Sequence, residues 1–217
     1  MELQMPQWTV LSVVTGSRAY GLAVDGSDVD RRGVFVTPTE LFWRLDKPPT
    51  HVEGPLPEQF SWEIERFCLL ALQANPTVLE CLWSPLIEHS TSVGDRLLAI
   101  RRAFLSRRAE QTFVGYAERL FRRSDFGRPR QRKAAMHVIR LLLSGLHLVR
   151  HGEPLVQVGE HCDRLLAVRN GDLDWGEVCG WRDELLAEIG AAESVLPGLP
   201  DRVAVEEVLM DVRRASL

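Results

Sequence analysis

The sequence predicts an α+β protein, in which a small mixed-sheet domain is followed by an all-helical domain. The first half contains short β-branched runs typical of strands, separated by turns rich in glycine and proline. From Gly94 onward the apolar residues recur at helical spacing, and no stretch has a convincing strand pattern. We therefore divide the chain into residues 1–95 and residues 96–217.

Three strands are predicted in the first half. Residues 8–15 form a β-branched run that ends abruptly at Gly16-Ser17, which indicates a buried strand leading into a turn. Residues 28–36 alternate between polar and apolar and predict a second strand. A third short strand is expected at residues 58–62. The proline-rich stretch before it, residues 46–57, predicts a loop.

Helices are predicted wherever apolar residues recur every three or four positions. In the first half, a short helix at 39–45 begins just after Pro38, a second covers 64–72, and a third at 77–83 follows Pro76. In the second half, the periodicity predicts helices at residues 95–108, 109–123, 131–151, 160–169, 175–192 and 202–214.

Composition excludes several classes of protein. A net charge of -4 argues against a protein that coats nucleic acid or anionic membranes by charge alone. No apolar run approaches the roughly 20 residues of a membrane span, and the N-terminus does not resemble a signal peptide. The four cysteines form no C-x-x-C pair and are expected to be reduced. We expect a cytoplasmic protein without membrane partners.

The stretch between Gly16 and Gly33 carries the most chemical information. Asp28 and Asp30 are two positions apart on a predicted strand, so their carboxylates project from the same face. Two neighbouring carboxylates repel unless a cation lies between them, and hard ions such as Mg²⁺ or Mn²⁺ prefer oxygen ligands. An alternative is that this segment is only a solvated turn.

The turn before these carboxylates is suited to binding phosphate. Gly16 and Ser17 offer backbone N–H groups and a hydroxyl, and Arg18 adds positive charge. We therefore expect these three residues to contact the triphosphate of a nucleotide beside the metal. Glycine and serine are also common in ordinary loops, so the prediction depends on their combination with Asp28 and Asp30.

This combination resembles the DNA polymerase β-like nucleotidyltransferases, whose signature is Gly-Ser, a gap of about this length, and Asp-x-Asp or Asp-x-Glu. The longer stretches, residues 16–21 and 27–34, look like the RNA-repair-pathway branch of that superfamily. Two further segments are similar to that branch. They are the Asn-Pro-Thr-Val-Leu-Glu segment at 75–80 and the Lys-x-x-x-His-x-x-Arg helix at 133–140.

The resemblance implies a catalytic nucleotidyltransferase domain at 1–95 and a helical substrate-binding domain at 96–217. It implies transfer of NMP from an NTP to an acceptor hydroxyl, preferably an RNA 3′ end, with release of pyrophosphate. Two Mg²⁺ or Mn²⁺ ions would be bridged by Asp28 and Asp30. The same site would also suit an enzyme that modifies a protein or small molecule, or a non-catalytic nucleotide-binding module. The preferred NTP and the oligomeric state stay open.

The resemblance also implies a third carboxylate on a later strand, for which two residues compete. Glu58 lies at the start of the predicted third strand, and Glu63 follows in an apolar-acid-apolar pattern. Their odd separation puts them on opposite faces of one continuous strand, so only one can serve. We favour Glu58 as the third catalytic and metal-binding carboxylate, with Glu63 as the alternative.

The helix predicted at 131–151 is apolar on most sides and carries one polar stripe, formed by Lys133, His137, Arg140, Ser144, His147 and His151. If the stripe lines the cleft, Lys133 and Arg140 would bind phosphates and His137 a ribose or base. The alternative is that the stripe is the solvent face of the helix. Six arginines lie close together in the sequence and predict a local basic surface for an RNA backbone: Arg119, Arg122, Arg123, Arg128, Arg130 and Arg132.

Overall fold

The computed structural model describes residues 6–122 and 129–216, and it contains a five-stranded mixed sheet followed by helices. The predicted α+β class is confirmed. In chain order the strands are β1 (Thr9–Thr15), β2 (Asp30–Phe35), β3 (His51–Glu53), β4 (Gln59–Glu63) and β5 (Ile87–Ser90).

The sheet has the order β3-β4-β2-β1-β5, with β2 parallel to β4 and the other neighbours antiparallel. In the β1–β2 pair, Thr15 lies opposite Asp30, so β1 ends where β2 begins. In the parallel pair, Arg31 lies beside Gln59, so β4 begins at the same place. We call this the site end of the sheet, defined by Thr15, Asp30 and Gln59.

The helices of the first half pack on this sheet and begin at recognisable caps. They are α1 (Gly16–Tyr20), α2 (Ile64–Leu72), α3 (Pro76–Leu82) and α4 (Ser92–Ala99). The Glu63 side chain caps α2, and Asn75 caps α3 just before a proline in its first turn. Short 3-10 helices cover Thr39–Trp43 and Arg101–Phe104.

The second half is helical throughout its described part, as the periodicity predicted. Helix α6 lies at its centre and packs against α5, α7 and α8. Buried side chains of the sheet and of these helices belong to one hydrophobic cluster. The predicted boundary between two domains at residue 95 therefore stays a prediction. The helices are α5 (Arg108–Arg122), α6 (Pro129–His151), α7 (Cys162–Asn170), α8 (Trp175–Ala191) and α9 (Arg202–Ala215).

None of the helices within the described ranges is both long enough and apolar enough to cross a membrane.

The structure differs from the sequence prediction mainly in its short strands. The predicted loop at 46–57 contains β3, which pairs only with β4, and β5 was not predicted. Both strands are short and largely polar, so they form through pairing with neighbouring strands of the sheet and not through local β propensity. The helix expected at 95–108 is divided into α4 and the 3-10 helix Arg101–Phe104. Strand β2 begins at Asp30, two residues later than predicted.

Candidate active site

The turn after β1 brings the backbone of Gly16 against the carboxylate of Asp30. Gly16 has a φ of +66°, which side-chain-bearing residues rarely adopt. A Cβ atom at Gly16 would lie 2.0 Å from Asp30 Oδ2, so the carboxylate occupies the space that the glycine leaves free. Thr15 Oγ1 also donates a hydrogen bond to the carbonyl oxygen of Asp30 at 3.2 Å. Only glycine therefore suits this position.

Arg18 holds the segment that carries Asp28. Its guanidinium donates hydrogen bonds to the carbonyl oxygens of Ser27 at 2.9 Å and Asp28 at 3.2 Å. These bonds restrain the backbone beside an exposed carboxylate. The structure thus gives Arg18 a positioning contact, and its direct binding of a nucleotide stays a prediction.

Most of the predicted site residues meet around one small, mainly polar cavity at the site end of the sheet. We call it the carboxylate cavity, and its volume is about 150 Å³. Its lining joins the turn after β1, the start of β2, and helices α6 and α7. The residues that give the cavity its chemistry are Gly16, Ser17, Asp25, Asp28, Asp30, Lys133, His137 and Arg169.

Arg169 also lines this cavity, although no local sequence pattern predicts it. It lies near the end of α7, 36 residues beyond Lys133, and donates a hydrogen bond to the carbonyl oxygen of Leu22 at 3.2 Å. Nothing local in its helix distinguishes Arg169 from an ordinary surface arginine. With Lys133 it adds positive charge to a cavity that the carboxylates of Asp25, Asp28 and Asp30 also line, an arrangement suited to binding phosphates beside a metal ion.

His137 is neutral in the folded protein at physiological pH. Burial, together with the nearby charges of Arg140, Lys133 and Arg169, lowers its pKa to about 3. A neutral imidazole both donates and accepts hydrogen bonds, so it suits a hydroxyl or a base better than a phosphate.

The low pKa of His137 predicts a loss of stability in acid. The unfolded chain takes up this proton below pH 6.5, whereas the folded protein does so only near pH 3. Between these values the unfolded state binds more protons. As the pH is lowered through this range, the free energy of unfolding should therefore decrease. Protonation of this one imidazole accounts for at most about 1.4 kcal/mol per pH unit. His137→Gln should make the free energy of unfolding less dependent on pH. Urea unfolding at about pH 7, 5.5 and 4.5 would measure this.

The control for this experiment is His151→Gln, which removes an exposed imidazole from the same helix. If wild type and His137→Gln lose stability in parallel as the pH falls, His137 does not carry the effect.

Arg140 lies in the protein interior and does not line the carboxylate cavity. Its Nη1 donates to Glu80 Oε1 at 2.6 Å, and Tyr20 Oη donates to Glu80 Oε2 at 2.8 Å. The Arg140 guanidinium also lies 3.8 Å from the centre of the Tyr20 ring. Burial acts to lower the pKa of Arg140, but the Glu80 carboxylate outweighs it and raises the pKa above its ordinary value.

This buried network joins three of the motifs noted in the sequence. Tyr20 belongs to the first motif segment, Glu80 ends the Asn-Pro segment, and Arg140 ends the α6 motif. The solvent-face alternative for the α6 stripe is wrong at Arg140 and Ser144, which are 4% and 0% exposed. Direct contact of Arg140 with phosphates stays a prediction, because Glu80 already holds its guanidinium.

The structure does not bring Glu63 to the site. Glu63 lies beside Phe35 at the far end of β4, four residues beyond Gln59, or about 13 Å at strand spacing. It is buried, caps α2, and accepts two hydrogen bonds from Arg213 at 2.8 and 2.9 Å. Glu63 therefore anchors α9 to the sheet, and we assign it no catalytic role.

Glu58 lies at the site end, just before β4. Gln59 is paired with Arg31, so Glu58 precedes the paired part of β4 at this end of the sheet, but it does not line the carboxylate cavity. The carbonyl oxygen of Glu58 accepts from Arg31 N at 3.0 Å and from Arg32 Nη1 at 2.9 Å. Its φ is 55° and its side chain is exposed. The role of Glu58 as the third carboxylate stays a prediction.

Asp28 and Asp30 are the metal-ligand candidates at this site. Across residues 6–122 and 129–216, no three His, Cys, Asp or Glu side chains are grouped so as to hold a metal ion. Mg²⁺ commonly takes only one or two protein carboxylates and completes its shell with water and phosphate oxygens. The donor set therefore fits a metal that is bound together with a nucleotide.

Gly16→Ala tests the close approach of the turn to Asp30. The new Cβ would collide with Asp30 Oδ2, and the positive φ would be strained. We expect the carboxylate to be displaced and Mn²⁺ binding with nucleotide to weaken by at least about tenfold. Isothermal titration calorimetry would measure this, with Gly21→Ala as the control because its added Cβ meets open space at a similar φ and Gly21 does not line the carboxylate cavity. Equal Mn²⁺ affinities for the two variants would contradict the proposed contact.

The local basic surface is only partly described. Arg123 and Arg128 lie outside the described residues. Arg122 is exposed and pairs with Glu118 at 3.6 Å, and Arg130 is exposed near the start of α6. Arg132 donates to the carbonyl oxygen of Asn170. The described arginines thus flank the α6 segment that carries Lys133.

Comparisons with known proteins agree with the motifs. Residues 2–203 match a family described as "RlaP: RNA repair pathway DNA polymerase beta family". An uncharacterized protein of Bacillus subtilis (strain 168), YcgL, is 25% identical over 148 residues, which cover 66% of this chain and 57% of that relative. No solved structure matches the chain.

Proposed function

The chain belongs to the RNA repair pathway DNA polymerase beta family, and from this premise we propose that it is a metal-dependent nucleotidyltransferase acting on an RNA 3′ end. One observation carries the proposal. The carboxylates of Asp28 and Asp30 share a cavity with the Gly16 turn and with the cations Lys133 and Arg169. Such a site combines oxygen ligands for a metal with donors for a triphosphate.

Asp28 and Asp30 would hold Mg²⁺ or Mn²⁺, which would neutralise phosphate charge and activate the acceptor hydroxyl. Lys133 and Arg169 would bind the triphosphate, and the Ser17 hydroxyl would donate to it. Arg18 would keep the Asp28 segment in position through the carbonyl contacts described above. Catalysis at such a site consists mainly of positioning and charge stabilisation.

In the reaction, the acceptor hydroxyl oxygen forms a bond to the α-phosphorus of the NTP. The bond from that phosphorus to the oxygen bridging to the β-phosphate breaks, and pyrophosphate leaves with the electron pair. The proton of the acceptor would pass to a carboxylate, for which Glu58 is the candidate because it precedes β4 at the site end of the sheet.

A labelling experiment tests this function. The protein is incubated with each α-labelled NTP, Mg²⁺, and either total RNA or total protein. We expect label in RNA, and we expect periodate oxidation of the terminal ribose to prevent it because the acceptor hydroxyl is destroyed. Label in the protein fraction would assign the alternative acceptor. Absence of label from every fraction, with NTP bound, would favour a non-catalytic nucleotide-binding module.

Lys133 and Arg169 should contribute to NTP binding more than to RNA binding. Lys133→Ala and Arg169→Ala are each expected to weaken NTP binding by about 1–3 kcal/mol, the usual contribution of a hydrogen bond to a charged group. Arg122→Ala with Arg130→Ala should instead weaken RNA binding and make its salt dependence shallower. Calorimetry with a non-hydrolysable NTP and RNA titrations at several salt concentrations would separate the two effects. Unchanged NTP affinity in both single variants would remove these residues from the site.

A further inference from the structure

A second cavity lies beside the carboxylate cavity and has a different chemical character. We call it the aromatic cavity, and its volume is about 310 Å³, within the range of sites that enclose small organic ligands. The two cavities share His137 on α6. The walls of the aromatic cavity come from α1, α3, α5 and α6, and include Tyr20, Pro76, Thr77, Tyr116, Ala134 and Leu141.

We propose that the aromatic cavity binds the nucleobase of the NTP whose phosphates occupy the carboxylate cavity. This inference rests on the proposed function and specifies how the same site recognises its substrate. An NTP has a highly charged end and a flat, largely apolar end, joined by a ribose. Two adjoining cavities, one lined by charges and one by rings and aliphatic side chains, match that distribution.

The floor of the aromatic cavity favours a neutral group over a phosphate. Glu80 is buried there, and its two carboxylate oxygens accept hydrogen bonds from Arg140 and Tyr20. The charges of Glu80 and Arg140 therefore compensate each other inside the wall. Among the described residues of this floor the cation, Arg140, is already paired with Glu80, so the pair offers little attraction to a phosphate, whereas a base would bury apolar surface.

The remaining walls offer the surfaces on which bases pack. The Tyr116 ring on α5 is 39% exposed, and Pro76, Ala134 and Leu141 present apolar surface. Bases stack on aromatic rings with little dependence on sequence. His137 stands where the cavities meet, at the position of the ribose, and its neutral ring suits hydroxyl groups.

The contribution of the base is measured first with ligands alone. The α,β-methylene analogues of the four NTPs are compared with ribose 5-triphosphate and tripolyphosphate by calorimetry in Mg²⁺. At least one base-containing analogue should bind about tenfold or more tightly than ribose 5-triphosphate, in line with the energy of base stacking. Equal affinities of all these ligands would overturn the nucleobase cavity and leave the phosphate site intact. Failure of every ligand to bind would overturn the proposed function as well.

A cavity-filling variant gives an independent test. Thr77 is exposed on α3 and lines the aromatic cavity, so Thr77→Phe fills the cavity without disturbing the core. It should weaken binding of the preferred NTP analogue by about tenfold and leave tripolyphosphate affinity within about twofold. The matched control is Gln111→Phe on α5, which is exposed and lines neither cavity. Unchanged affinity of Thr77→Phe for the NTP analogue would overturn the proposal.

Discussion

Asp28→Asn and Asp30→Asn should each lower nucleotidyl transfer by at least about a hundredfold without unfolding the protein. Each substitution removes a negative oxygen ligand from the metal while preserving the size of the side chain. Asp28 is exposed and Asp30 is partly exposed, so neither carboxylate belongs to the hydrophobic core. Without metal, removing one of two neighbouring negative charges should leave stability unchanged or increase it.

The transfer rate with labelled NTP, Mg²⁺ and RNA measures the first effect, and thermal unfolding without metal measures the second. Asp163→Asn is a suitable control, because Asp163 is exposed on α7 and lines neither cavity. Near-normal transfer by either cavity variant would remove the metal site from the mechanism. A large loss of stability in both variants would instead indicate that the carboxylates have a structural role.

Arg140→Ala should lower the free energy of unfolding by about 3–5 kcal/mol, because it leaves Glu80 charged and buried with only Tyr20 as a partner. A double variant, Arg140→Met with Glu80→Leu, should be less destabilised than Arg140→Ala. Replacing both members of a buried ion pair with apolar groups avoids the unpaired charge. Urea unfolding of the variants measures both effects.

The control for this prediction is Lys133→Ala, which removes an exposed cation from the same helix and should change stability by no more than about 0.5 kcal/mol. If Arg140→Ala is as stable as wild type and loses NTP binding, Arg140 contacts the nucleotide directly. That result would restore the role predicted from the sequence and contradict the structural role of the buried pair.

The contrast between Lys133 and Arg140 shows why a motif alone does not assign roles. Both residues belong to the same Lys-x-x-x-His-x-x-Arg segment, and both were expected to bind phosphate. The seven-residue separation keeps them on a similar face of α6, but the surroundings change along the helix. Lys133 reaches the carboxylate cavity, while Arg140 meets Glu80 beneath the aromatic cavity.

The sequence by itself determined the features that depend on neighbouring residues. Apolar periodicity predicted most of the long helices, from α5 to α9, within a few residues of their observed bounds. Glycine and two aspartates at short separations predicted that Gly16, Asp28 and Asp30 would lie together, and they line one cavity. These predictions succeed because helix pitch, strand alternation and turn chemistry act over a few residues.

Only the tertiary structure decided the features that depend on register and distant packing. Glu58 and Glu63 compete for one role in the sequence, but the parallel pairing of β2 with β4 puts Glu58 at the site end of the sheet and Glu63 at the far end of β4. Arg169 enters the cavity because α7 packs against α6, and Arg140 is buried because α3 brings Glu80 to it. Each outcome depends on contacts between residues distant in sequence, which no local pattern encodes.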